Sequence, residues 1–307
     1  MRIHAWAALL ALLALLQATC GRELLAEDGV TIAHHTPRNP NAKRDSKRRS
    51  PGGLARGEQF CQGTLISPDV VLTAASCFFT NDTTISPGGI FPQVRVGGYG
   101  QDGGRNGSAA ATALAYHKRY NWRQGQPSHD IALLKLDRRF PGVTPLRLAP
   151  SSKFTSLKAD TQLSVLRWGP AAQGRSPASP SLLWSTLKLD SRTCAFQWPD
   201  LDWGSGDIMC ARPYGHGKNS CRPEDGGGPV FLEGGDASED VQVGIISERG
   251  CDKLKPSERG RLQLGAARNW IHAAAEVLRT RRTFTGADPF WIYFKDQWAN
   301  WLEGGDH

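Results

Sequence analysis

From residue 61 to residue 248 the chain repeats one pattern, a short apolar or β-branched run followed by turn residues. The runs read CQGTLIS, VVLTAA, FPQVRVG, DIALLKLD, QLSVLRWG, LLWSTLKLD, PVFLEG and VQVGIISE, and Gly, Pro, Asn and Ser separate them. No helical block intervenes, so a parallel sheet with crossover helices is excluded and an all-β barrel or sandwich is predicted. The period changes only near the end. Residues 266–282 place Trp270, Ile271, Ala274, Val277 and Leu278 on one helical face, with basic residues in the last turns where the helix dipole favours them.

The flanks differ in kind from this block. Arg2 and His4 precede an apolar stretch from Ala5 to Leu16 and a small-residue sequence ending at Cys20, which reads as a secretory signal peptide over residues 1–20. No other stretch offers the roughly 20 apolar residues of a membrane span. Residues 21–58 are polar and basic, a pro-segment or flexible arm with dibasic sites at Lys43-Arg44 and Arg48-Arg49. The folded domain is expected over residues 59–282 and an aromatic tail over 283–307. In that tail Phe290, Trp291, Phe294, Trp298, Trp301 and Leu302 recur at roughly helical intervals. They pack on the barrel or the Trp270 face, or else form a patch for a partner, a membrane surface or a sugar. Asp288, Asp296, Glu303 and Asp306 weaken the membrane option. Lys and Arg exceed Asp and Glu by 37 to 29, for a net charge of +8, yet no nucleic-acid recognition motif accompanies the excess.

Once the signal is removed six cysteines remain: Cys61, Cys77, Cys194, Cys210, Cys221 and Cys251. An even number in an exported chain argues for disulfides, although spacing leaves the pairing open. Asn81 and Asn106 head N-x-S/T acceptors in loop-like sequence, which makes glycosylation an expectation. No cluster has metal-ligand spacing, and no cofactor motif occurs.

Several ordered blocks then point to a family. CQGTLISPDVVLTAASC, DIALLKL, TPLRLAP, RWG, DIMCA, CRPEDGGGPV, VGIIS and ARNWI follow one another between residue 61 and about residue 272. In this order they resemble a chymotrypsin/trypsin-like serine protease domain. The resemblance implies two six-stranded β-barrels side by side, a cleft between them and a C-terminal helix against the second barrel. It also implies the disulfides Cys61–Cys77, Cys194–Cys210 and Cys221–Cys251.

The same blocks depart from the family where its chemistry resides. Amide hydrolysis needs a nucleophile, a base to deprotonate it and a group to orient that base. Where the family reads LTAAHC this chain reads LTAASC, so Ser76 stands at the base position, and a hydroxyl accepts no proton near neutral pH. Where the family reads GDSGGP this chain reads EDGGGP, so Gly226 stands at the nucleophile position without a side chain. Asp130 of DIALL remains; with no imidazole to orient, its expected role is structural, accepting backbone or Ser76 hydrogen bonds. Glu224 falls where the resemblance expects an oxyanion-hole glycine, and a carboxylate there repels a developing negative charge. Glu248 replaces the tryptophan of the family's substrate-facing strand, and Asn219 lies where a trypsin carries its pocket aspartate. Asp225, the family's partner for a newly cut Ile/Val amine, is kept. The required N-terminus is not: Ser50-Pro51-Gly52-Gly53 is a faint echo, and Gly53 lies only eight residues before Cys61, too close for the usual first strand. His117, His129 and His216, with Ser128 and Ser220, are the candidates for a rearranged site. His129 neighbours Asp130, and alternation on a strand would turn it toward solvent or a loop.

The expectation is therefore a secreted, non-catalytic serine protease homologue with no cofactor that binds or regulates a protein partner, a hydrolase or a cascade protease. It is similar in kind to the glucanase-inhibitor proteins of oomycetes. The alternatives are a serine-type endopeptidase, as the family fold would suggest, and an extracellular carbohydrate-binding protein, for which a glycan is the ligand.

Overall fold

The computed structural model describes residues 29–32, 59–81, 84–85, 91–96, 107–120, 129–168, 182–190, 208–214, 225–235, 238–247, 260–263, 267–280 and 290–294. In chain order the first strands are β1 (Gly29–Ile32), β2 (Gln59–Ser67), β3 (Val70–Thr73), β4 (Phe79–Asn81), β5 (Thr84–Ile85), β6 (Gln93–Val96), β7 (Ser108–His117), β8 (Ala132–Leu136) and β9 (Arg147–Leu148). A short helix α1 (Ser151–Ser156) leads to β10 (Gln162–Trp168), β11 (Leu182–Leu189), β12 (Ile208–Pro213), β13 (Pro229–Leu232), β14 (Val241–Ile246) and β15 (Gly260–Gln263). Helix α2 (Arg268–Thr280) and β16 (Phe290–Phe294) end the described fold.

Two rings result. Strands β7, β6, β1, β2, β3 and β8 neighbour one another in that order, and a β7–β8 pairing closes the circle. Strands β13, β10, β11, β12, β15 and β14 do the same, closed by β13–β14. The chain has the trypsin-like double barrel of six strands each, with β16 added to the edge of β7 and β9 added in parallel to β14. Closure removes the unpaired edges that an open sheet would present.

β6 alternates buried and half-buried residues, whereas β3 and β8 bury consecutive residues and so are covered on both faces. Val71, Leu72, Leu114, Leu133 and Leu134 are buried in the first barrel, and Leu163, Val165, Leu187, Leu189, Val230 and Val243 in the second. Helix α2 buries Trp270, Ile271, Ala274, Val277 and Leu278, the face that its periodicity marks. That face joins the first barrel's core and lies on β7 and β8, not on the second barrel as the resemblance implied. The strands β7 and β8 turn apolar side chains outward there, and the helix removes them from water.

Four elements differ from the sequence expectation. Strand β7 reads SAAATALAYH, an alanine-rich run with helical propensity, but Ala109, Ala111, Ala113 and Ala115 alternate inward. Small side chains suit a strand flanked by β8 on one side and by β6 and β16 on the other, and pairing overrides propensity. Residues 29–32, assigned to a flexible arm by composition, form β1. Asn81, placed in a loop, ends β4 of a small hairpin with β5. The aromatic tail, spaced for a helix, begins as the strand β16 antiparallel to β7. Ile292 turns inward, while Trp291 is 46% exposed beneath the Lys118 ammonium and Tyr293 stacks on Tyr116 at 6.0 Å.

Strand alternation separates Ile292 from its neighbour. Ile292→Ala is expected to cost about 2–3 kcal/mol in urea unfolding, and Trp291→Ala less than about 1 kcal/mol. Equal costs would contradict the strand assignment.

Candidate functional site

The chemistry-bearing segments meet where the barrels face each other. After β3 the chain turns through a single 3₁₀ turn, Ala75–Cys77, and the Cys61–Cys77 disulfide ties that turn to β2 with 6.0 Å between Cα atoms. Ser76 on this turn is 3% exposed. Its backbone N–H donates to Asp130 Oδ1 at 2.7 Å, and its hydroxyl donates to Oδ2 at 2.8 Å. From the second barrel, Ser247 just beyond β14 donates its hydroxyl to the same Oδ2 at 2.6 Å. Asp130 is fully buried. Burial pushes its pKa up, while hydrogen bonds from Ser247, Ser76 and the Ala75 backbone pull it back.

The Asp225–Gly228 segment lies across the same boundary. Gln62 of β2 donates Nε2–H to Asp225 Oδ1 at 2.9 Å and its backbone N–H to the Gly226 carbonyl at 2.7 Å. The Gln62 carbonyl accepts from Thr73 Oγ1 at 2.7 Å. On the other side Gly227 N–H donates to the Ile246 carbonyl at 2.7 Å, and Ile246 N–H donates to the Gly228 carbonyl at 2.9 Å. Gly227 sits at φ +80°, and a Cβ there would collide with Thr73 Oγ1 and the Gln62 carbonyl. The position requires glycine both for its backbone angle and for its close approach to β2 and β3.

Among the described residues, this arrangement brings two hydroxyls to one carboxylate, and both side-chain donors are spent on it. Both hydroxyls on Asp130 are buried, at 3% exposure or less, and point away from solvent. Gly226 is buried and presents only its backbone. Asp225, kept in the sequence, is satisfied in part by a neutral amide.

The histidines form a separate structure. His117 at the end of β7 stacks on His129 with centroids 4.3 Å apart, and Trp270 of α2 lies 5.5 Å from His117. His129 precedes β8 at φ +56°, outside the strand, so alternation does not apply, and its half-buried ring lies against His117. Arg119 N–H donates to His117 Nδ1 at 3.1 Å. Burial first, then His129 and Arg119, lower the His117 pKa to about 4.

Sequence reasoning missed Gln62, Ser247 as a partner of Asp130, and the histidine stack. The signal available for Gln62 was a polar side chain inside an apolar strand run beside a cysteine. Asn219, Glu224, Glu248, Cys194, Cys221, Cys251, Asn106, Ser128, His216 and Ser220 lie outside the described residues. Cys210 is disulfide-bonded. Among the described residues no helix is long and apolar enough to cross a membrane.

Comparison with known proteins bears on the family and the fold. Residues 39–271 match the family model described as Trypsin. Glucanase inhibitor protein 4 of Phytophthora infestans is 30% identical over 194 residues, covering 62% of this chain and 69% of that protein. Trypsin theta of Drosophila melanogaster is 29% identical over 239 residues, 72% of this chain and 79% of the relative. Among solved structures, mouse neuropsin, described as a serine protease expressed in the limbic system, superposes with a TM-score of 0.54. At 23% identity, over 70% of this chain and 89% of its own, it shows the fold alone.

Two measurements check this description. Asp130→Ala leaves the Ser76 and Ser247 hydroxyls without their acceptor and is expected to cost about 3 kcal/mol, against about 1 kcal/mol for Ser76→Ala. A histidine whose pKa falls on folding binds its proton more readily in the unfolded chain. Stability is therefore full above about pH 6.5 and declines as pH falls toward 4. His117→Phe is expected to flatten that decline in a thermal-unfolding series.

Proposed function

The chain belongs to the trypsin family, and within it we propose a secreted, non-catalytic member that binds and restrains a protein partner, a hydrolase of the glucanase class. The observation that carries this reading is the inward-turned hydroxyl of Ser76, committed to a buried carboxylate where the family alignment expects an imidazole. Gly226, at the aligned nucleophile position, adds a second loss. In a serine protease of unrelated fold, removing either group costs about 10⁶-fold in rate. Losing both leaves a folded barrel pair with loops free for recognition.

Other residues fit the proposal. Glu224 at the oxyanion position opposes charge development, and Asn219 and Glu248 remove the basic-residue pocket and the substrate strand's tryptophan. The signal sequence, the six cysteines and the acceptors Asn81 and Asn106 suit an extracellular protein. The choice of a glucanase-class partner rests on the relatives named glucanase inhibitor proteins, including those of Phytophthora infestans and Phytophthora sojae.

The test pairs two assays on the purified, glycosylated protein. Titration into glucanase reactions is expected to lower glucan hydrolysis until the partners are equimolar, and a mixed peptide library should remain uncut. Peptide cleavage that survives repurification and vanishes when one residue of this chain is replaced would overturn the non-catalytic reading. An unaltered rate for every glucanase tried, with nothing captured from the native extracellular fluid, would sink the partner.

A further inference from the structure

The first barrel closes with a strand borrowed from far upstream. β1 lies between β2 and β6, and its four residues pair with both: Gly29 with Gln59 and Gln93, Val30 with Cys61 and Val94, Thr31 with Gln62 and Arg95, Ile32 with Gly63 and Val96. All of this pairing is parallel, so no tight hairpin joins β1 to either neighbour. Residues 33–58 connect it to β2, and residues 21–58 contain no cysteine that could anchor it. β1 is thus joined to both neighbours by main-chain hydrogen bonding, with no disulfide from residues 21–58 to tie it to the body. Without it β2 keeps only β3 and β6 keeps only β7, leaving two facing edges that each seek a strand.

We infer that the slot between β2 and β6 is a strand-binding site for an extended peptide running parallel to both, filled in the intact chain by its own Gly29–Ile32 and exchangeable once residues 33–58 are cut. The ligand class is a short extended segment of the Gly-Val-Thr-Ile type, with apolar and β-branched residues suited to a central strand. The slot is wired to the candidate site. Thr31 pairs with Gln62, and Gln62 holds Asp225 and Gly226. Emptying the slot releases one side of β2 and loosens the Asp225–Gly228 segment. The inference is independent of the binding role proposed above, because it concerns what closes the barrel.

Limited trypsin digestion of the full chain supplies the test, since Lys43, Arg44, Lys47, Arg48 and Arg49 all lie in the connection. The fragment bearing residues 29–32 is expected to coelute with the body on native gel filtration and to separate only in denaturant. A labelled peptide of residues 23–36 in excess should then replace it, while the same peptide with Val30→Pro should bind at least tenfold more weakly, because proline cannot donate within a central strand. The uncut chain should take up neither peptide. Immediate loss of the fragment without faster hydrogen exchange in residues 59–67 and 93–96, or equal uptake of the proline peptide, would overturn the inference. Should the cut body aggregate, Val30→Pro in the intact chain decides it. Exchange at residues 59–67, 93–96 and Gly226–Gly228 should quicken at least tenfold while residues 182–189 stay as they were. Unchanged exchange at the first three segments would refute the slot.

Discussion

A buried carboxylate joins the two barrels, and the arrangement around it depends on how that charge is satisfied. Asp130 opens the segment leading into β8 of the first barrel, and its acceptors are filled from both sides by Ser76 on the turn after β3 and Ser247 beyond β14. A desolvated charge is costly unless it is hydrogen-bonded, so any shift of one barrel against the other would expose that cost. Gln62 acts at the same boundary in the opposite sense, reaching from the first barrel to hold Asp225 and Gly226 of the second. The two clips fix the junction through a few short contacts, and Ile245 of β14 adds an apolar one by packing into the first barrel's core cluster.

Most of the architecture was legible because it rests on local patterns. The eight apolar runs became β2, β3, β6, β8, β10, β11, β13 and β14, and the five residues marking the helix face are the five that α2 buries. What stayed hidden depends on partners distant in sequence. Nothing in SAAATALAYH announces a strand until β6, β8 and β16 lie beside it. Nothing in residues 29–32 distinguishes four residues of a polar arm from a barrel strand, because parallel pairing leaves no turn signature. In the tail, aromatic spacing suited two periods, and only the open edge beside β7 selected the shorter one.

The site was legible residue by residue but not as a geometry. LTAASC and EDGGGP put a hydroxyl and a glycine at the positions singled out, and a hydroxyl at position 76 beside Asp130 suggested the bond that forms. Gln62 and Ser247 were not singled out, since their importance arises from which barrel they reach across to. His129 misled because the alternation argument assumed a strand, whereas its backbone is left-handed. The ring stacks on His117, in an acid-sensitive contact, where a side chain facing solvent or a loop was expected.

The serine at position 76 explains how this scaffold tolerates the absence of an imidazole. A buried aspartate deprived of its partner would leave an uncompensated charge, and deleting the aspartate as well would orphan the Ser247 hydroxyl. A short donor at position 76 resolves both at once, because its hydroxyl and its own backbone N–H occupy the two carboxylate oxygens. The outcome is a closed hydrogen-bond set around Asp130. Gly226 contributes through its backbone alone, its carbonyl accepting from Gln62 N–H. The same contacts that hold the junction between the barrels therefore commit the hydroxyls of Ser76 and Ser247 to Asp130, so that the packing of the junction and the chemistry available at it have one physical origin.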